Sequence, residues 1–230
     1  MSGALRVLHC DNHLLAVAKP AGVPTVPDSS GDESLYDQAK AWIRAEFAKP
    51  GDVFLGIVHR LDRPVSGVVV FARTSKGAAR LSRALREGTA RKVYWGVGEG
   101  RPRAASGVLE QWLAKDEAKN RVRAFPRERA GAKHAVTRWR VLAEEAGRTL
   151  YEFLPETGRP HQLRVAAATL GTPLVGDVKY GASAPLADQS VALHAVELEI
   201  EHPTRKERLR FSVRPPARDP WRFPDSRRTL

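Results

Sequence analysis

Cysteine is all but missing from this 230-residue chain: Cys10 stands alone. A single thiol excludes an internal disulfide and any zinc site built on clustered cysteines, and it suits a reducing compartment. The histidines do not make up the deficit. His59, His134, His161, His194 and His202 never fall at HExxH or related ligand spacing, so no zinc site is expected. Long apolar runs are absent too. None approaches the roughly 18 residues of a membrane span, and no secretory h-region is visible near Met1, so a cytoplasmic protein is expected. There is no GxxxxGKS/T loop and no GxGxxG opening a helix after a strand, which leaves nucleotide cofactors unsupported. A GxSxG nucleophile elbow is also missing.

Basic residues are abundant. Lys and Arg number 38 against 26 Asp and Glu, a net charge of +12 with pI near 10.3. A surplus of that size points to a polyanionic partner, RNA or DNA, or to an acidic membrane surface. The length is enough to bury a full core as one large domain or two small ones.

Apolar patterning predicts a mixture of strands and helices. Leu5 to His9 and Leu14 to Ala18 read as a hairpin across a turn-rich link. Ser34 with Asp37 forms a capping box for a helix carrying Leu35, Ala39, Ile43 and Phe47 on one face. Thr74 or Ser75 caps a second helix, with Ala78, Leu81 and Leu85 inward, basic outer faces, and Gly88 as its stop. Arg91 to Val97, Gly107 to Ala114, Arg121 to Phe125, Lys133 to Ala143, Thr149 to Pro155, Val191 to Glu201 and Arg208 to Val213 are strand-like. Short links between the middle segments argue for antiparallel neighbours. From Arg205 onward basic residues dominate, which predicts a partly ordered basic arm.

Two stretches carry possible chemistry. In the first, apolar runs Phe54 to Val58 and Val68 to Phe71 flank His59-Arg60-Leu61-Asp62-Arg63-Pro64-Val65-Ser66-Gly67. Short β-branched runs bounded by Gly and Pro predict buried strands, so Asp62 sits on a turn that holds its side chain at a fixed angle. Arg60 and Arg63 favour an ionised Asp62 and are placed to fork onto it. An ordinary loop ion pair fits the same spacing. In the second stretch, Thr157-Gly158-Arg159-Pro160-His161-Gln162-Leu163-Arg164, Pro160 suits the first turn of a helix running to Gly171. Arg159, His161, Gln162 and Arg164 then crowd a helix start that already favours an anion. Asp177, in the turn-rich loop that follows, is a second candidate carboxylate.

Taken together, His59-Arg60-Leu61-Asp62-x-x-x-Ser66-Gly67, Lys92-x-Tyr94, Thr157-Gly158-Arg159-x-His161-Gln162-Leu163-Arg164 and Gly176-Asp177-x-x-Tyr180-Gly181 resemble the ordered motifs of the RluA-type RNA pseudouridine synthases. Lys19-Pro20-x-Gly22 and Leu193-His194-Ala195 match as well, so the resemblance runs from about residue 14 to 213. It implies an α+β pseudouridine synthase fold: a long, mixed, mostly antiparallel sheet with flanking helices and a central cleft. It also implies one catalytic domain over 1–230, with a core of about 5–214 and a basic tail over 215–230. An added N-terminal RNA-binding domain is not expected.

Carried over by position, Asp62 is the essential carboxylate acting at the ribose anomeric carbon of the target uridine. Tyr94 lies against the flipped uracil as a candidate base, and Arg164 pairs with Asp62. Arg60 resembles the residue that helps displace the base; His59, Arg63, Arg159, His161 and Gln162 join it as expected RNA contacts. Val65 departs from the usual threonine, and Ala166 stands where a histidine often follows.

The implied partner is structured tRNA or rRNA, bound by a monomer without cofactor or metal. Uracil can leave as a delocalised anion, so one ionised Asp suffices, either as nucleophile or as base for a glycal route. Two rivals use the same residues. A glycoside hydrolase needs a second carboxylate about 5–9.5 Å from the first, a part Asp177 fills only if it faces Asp62. A non-catalytic RNA-binding or ribosome-assembly module explains the charge without chemistry.

Overall fold

The computed structural model of the chain describes residues 4–48 and 50–223. They fall into two compact units, Met1–Arg91 with Ala195–Arg214, and Lys92–His194 with Pro215–Leu230. Eleven strands and three α-helices are present among the described residues, an α+β composition.

In the first unit, β1 (Arg6–Cys10) and β2 (Leu14–Lys19) form the expected hairpin. Asp11 closes it, its Oδ1 accepting from the His13 and Leu14 amides at 2.7 and 3.0 Å. Two short strand pairings follow: β3 is only Gly56–Ile57, and it lies on β4 (Ser66–Ala72), which also pairs β2. A side chain on Gly56 would sit 2.6 Å from the Ala78 Cβ, so the approach of a helix there requires glycine. Helix α1 (Leu35–Glu46) starts at the predicted Ser34–Asp37 capping box and buries Leu35, Ala39 and Ile43. Phe47 departs from expectation. It is the C-cap, 44% exposed, with the Arg73 guanidinium 4.3 Å over its ring. Helix α2 (Ser75–Glu87) runs from the Thr74 cap to Gly88, whose φ of 74° ends it in the left-handed region.

The same unit is completed from far along the chain. Strand β10 (Leu193–Glu201) neighbours β4, and β11 (Arg208–Ser212) pairs β10. Val68, Val70, Leu81, Leu198, Ile200 and Phe211 share one core. Arg205 is no loose arm: with buried His202 it binds Asp11 Oδ2, at 2.7 and 2.9 Å. The His202 Nδ1 accepts from the Arg205 amide at 2.9 Å, which leaves the Nε2 proton for Asp11.

In the second unit, β5 (Arg91–Glu99), β6 (Ser106–Asp116), β7 (Arg121–Phe125), β8 (Lys133–Glu145) and β9 (Arg148–Pro155) lie in the order β5-β9-β8-β6-β7. Every one of these pairings is antiparallel, as the short links require. Helix α3 (Gln162–Thr169) packs on Leu113, Val122 and Ala135 through Val165. The residues after Pro215 are also better anchored than charge alone suggests. Arg148 pairs Asp219 at 2.7 Å, the Trp221 ring meets His194, and Phe223 is buried. The rest of the predicted tail, 224–230, lies outside the described residues.

Candidate active site

Asp62 occupies the turn between β3 and β4, half-buried, as the flanking apolar runs predict. That turn is held from several sides within the first unit. The Asp62 carbonyl accepts from the Val65 amide at 3.0 Å. Thr25 clamps the preceding residue, its hydroxyl donating to the Leu61 carbonyl at 2.7 Å and accepting the Leu61 N–H at 3.1 Å. The Arg63 carbonyl accepts from Gly22 N at 2.9 Å, a contact that uses the Gly22 φ of +87°. His59 Nε2 accepts from Val70 N at 2.9 Å, so its ring proton sits on Nδ1. This histidine, expected at the RNA, secures the strand that follows Asp62.

Lys19 lies beneath the turn and is 2% exposed. Its Nζ donates to the carbonyls of Pro20, Val23 and Arg63 at 3.0, 2.6 and 3.1 Å. Burial pulls its pKa down to about 7; the Asp62 charge pulls the other way, and Arg63 adds to the lowering. The Lys-Pro-x-Gly spacing is visible in the sequence, but nothing there shows three carbonyls converging on the amine.

Arg60 is exposed. Arg63 does not take the predicted fork onto its neighbour: its Nε donates to the Gly22 carbonyl at 2.9 Å, and Nη2 meets Asp32. The Arg63 carbonyl faces inward to Lys19, which turns the side chain outward to the Asp28–Asp32 loop.

In the second unit Tyr94 is half-buried on β5, directly opposite Phe153 on β9. Lys92 shares its face, and burial pushes the Lys92 ammonium pKa down. A side chain at Gly96, the next residue on that face, would come 2.9 Å from both Leu174 and Phe153.

The Thr157–Arg164 stretch forms a tight polar knot. Buried Gln162 uses its whole amide: Nε2 donates to the Val136 carbonyl and the Thr137 hydroxyl at 3.0 and 2.9 Å. Its Oε1 accepts from Arg159 N and the Thr157 hydroxyl, both at 2.9 Å. These bonds end the loop and open the helix. Pro160 therefore precedes α3 instead of entering its first turn. His161 is the N-cap, with φ of +52°, and its Nδ1 lies 2.6 Å from the Tyr180 hydroxyl. Arg159 Nε donates to the His134 carbonyl at 2.8 Å.

Arg164 is 6% exposed and Asp177 1%. Nε and Nη2 of Arg164 grip the two Asp177 oxygens at 2.7 and 2.6 Å, and the guanidinium lies 5.1 Å over the Tyr180 ring. A bidentate, desolvated pair of this kind fixes the arginine's plane and leaves Asp177 matched by charge. That accounts for the second candidate carboxylate: it orients Arg164, which argues against a glycosidase-type proton donor. The acid at Asp177 is visible in the sequence, whereas its pairing with Arg164 is not. Among the described residues no group of three or more His, Cys, Asp or Glu able to hold a metal occurs, and none of their helices is long and apolar enough to cross a membrane.

Residues 13–169 match the family described as RNA pseudouridylate synthase. The chain is 39% identical over 204 residues to an uncharacterized RNA pseudouridine synthase of Zymomonas mobilis, spanning 88% of this chain and 90% of that protein. It is 34% identical over 215 residues to the dual-specificity RNA pseudouridine synthase RluA of Haemophilus influenzae, spanning 91% and 93%. The fold is similar to that of human RNA pseudouridylate synthase domain containing 4, with a TM-score of 0.77, 25% identity, and coverage of 92% and 89%. Motif order, fold and relatives agree: the chain belongs to the RluA-type RNA pseudouridine synthases, isomerases that convert uridine in RNA to pseudouridine.

Proposed function

We propose that this protein isomerises specific uridines in structured tRNA or rRNA through Asp62, without a cofactor, as a monomer and as one catalytic domain acting on cytoplasmic RNA. The observation that carries the reading is the Asp62 turn, clamped by Thr25, Gly22 and the buried Lys19. A carboxylate on so rigid a support meets a substrate at one angle, which is what attack at a single carbon needs.

In this reading the C1′–N1 bond breaks and uracil departs as an anion. The carboxylate either bonds C1′ or removes the C2′ proton. Uracil turns and C5 bonds C1′, either displacing the carboxylate from C1′ or with the carboxylate returning its proton to C2′; the C5 proton then goes to a base and N1 gains a proton, so the atoms balance without an oxidant or reductant. Tyr94 takes the role of base beside uracil, and Arg164 that of guanidinium partner to the reacting carboxylate. Asp177 engages two of the five N–H groups of Arg164 and fixes the plane of the guanidinium. Arg60, Arg63, Arg159 and His161 are assigned to RNA, whereas His59 and Gln162 act by positioning the segments that carry them. The target base leaves its stack at a cost of a few kcal/mol, least in loops.

Asp62→Asn tests the assignment. RNA binding should persist while tritium release from C5-labelled uridine in cellular RNA falls to background. Isomerisation that survives the substitution overturns the role of Asp62. Binding without isomerisation in the wild-type protein supports a non-catalytic module instead.

A further inference from the structure

On the sheet of the second unit, residues of odd number on β6 and β8 face α3: Leu113 and Ala135 are buried there. The residues between them face solvent. Trp112 is paired in register with Phe125 on β7 and with His134 on β8, so three rings form one row across three strands. The Trp112 and His134 rings lie 4.9 Å apart, and the Arg129 guanidinium covers Phe125 at 4.6 Å. Arg121 and Arg123 share this face of the edge strand and are exposed. Arg121, Arg123 and Arg129 form no ion pair among the described residues, whereas Arg138 and Arg140 farther along β8 are matched by Glu156 and Glu152. Two acids on β6 share this face: Glu110, 3.6 Å from His134, and Asp116, paired in register with Arg121. Arg121 also leans round the sheet edge, 5.7 Å from the Tyr180 ring that His161 bonds.

Half-exposed Trp and Phe on the wet face of a sheet give a hairpin only a modest cross-strand gain. With unmatched arginines at their rim they have the composition of a base-stacking platform: π faces that accept any base, and cations that follow the phosphates. We propose that the outer face of β6–β8 is an accessory RNA-docking platform, where unpaired loop nucleotides outside the target uridine stack on Trp112 and Phe125. Arg121, Arg123 and Arg129 hold their phosphates. This rests on RNA being the partner of the chain and not on the role of Asp62. It lies on the face of the sheet opposite α3, and therefore opposite Arg164.

The test uses the full chain with two probes, a fluorescein-labelled 12-nucleotide oligouridylate and unfractionated bacterial tRNA. Trp112→Leu with Phe125→Leu keeps apolar cover and removes the π faces; Arg121→Gln, Arg123→Gln and Arg129→Gln together remove the cations from exposed positions. Each set should weaken oligouridylate binding by about tenfold or more. The arginine set should also reduce the slope of log affinity against log salt by up to about 2. On tRNA, KM should rise while kcat at saturation holds. Folded variants that bind both probes within twofold of wild type overturn the platform. So does a wild-type dimer in sedimentation that the leucine variant abolishes with RNA affinity intact, which assigns the face to a second copy of the chain. Should the leucine variant fail to fold, the arginine set decides alone. If oligouridylate binding depends on Trp112 in a chain that isomerises nothing, the platform stands and the catalytic reading falls; isomerisation with unchanged binding gives the converse.

Discussion

Replacing Lys19 with methionine removes an amine that is 2% exposed while keeping most of its volume. The unfolded chain holds a lysine proton up to its ordinary value of 10.5, but the folded chain releases it at about 7. Between those values the unfolded state binds more protons, so stability rises with pH across that window. Each pH unit adds at most about 1.4 kcal/mol, and from pH 7, where folded Lys19 is half protonated, to pH 9 the gain from this residue is about 2 kcal/mol. Urea unfolding of wild type and Lys19→Met at pH 7, 8 and 9 should show that gain in the first protein only, other titrating groups cancelling in the difference. The same substitution takes a donor from the Arg63 carbonyl next to Asp62, so kcat should fall even where the variant is folded. Equal pH slopes in the two proteins would refute the account of a buried, destabilised ammonium beneath the Asp62 turn.

Asp177→Asn leaves the Arg164 charge without its bidentate partner, and breaking such a buried pair costs about 3–5 kcal/mol, readable as a lower urea midpoint. Gly67→Ala places a Cβ 2.3 Å from the Ala195 carbonyl oxygen at a φ of +125°; a loss of about 3 kcal/mol or more, seen as a collapsed thermal transition, is expected. Thr74→Ala deletes the acceptor for Gly77 N at the start of α2 and should cost about 1 kcal/mol in the same melt, with isomerisation unchanged.

Much of the fold is readable because its signals are local. Leu14–Lys19 and Ser66–Ala72 are apolar, β-rich runs with nearly every residue buried, and such runs identify interior strands without any knowledge of their neighbours. Ser34, Thr74 and Gly88 mark helix ends by side-chain reach and backbone freedom alone. What escapes prediction depends on partners distant in sequence. Helix α3 starts after Pro160 because Gln162 bonds β8 and His161 meets Tyr180, 19 residues on. Arg63 turns from Asp62 to Asp32 because its carbonyl is drawn toward Lys19, 44 residues earlier. The site behaves likewise: Asp62 is legible as an acid on a turn, whereas the cage around Lys19 and the grip of Asp177 on Arg164 exist only once the backbone is folded.

The first unit is assembled from two segments about a hundred residues apart in sequence, since β10 borders β4, and His202 and Arg205 close on Asp11. During synthesis on the ribosome its hairpins emerge early but wait for residue 214, while the continuous stretch from Lys92 to His194 is translated in between. That stretch, the part of the second unit before Pro215, is therefore made before the first unit is complete, and a nascent chain stalled before β10 would present β4 as an open edge. Translation speed between β4 and β10 thus sets how long that edge is exposed to aggregation or to chaperones.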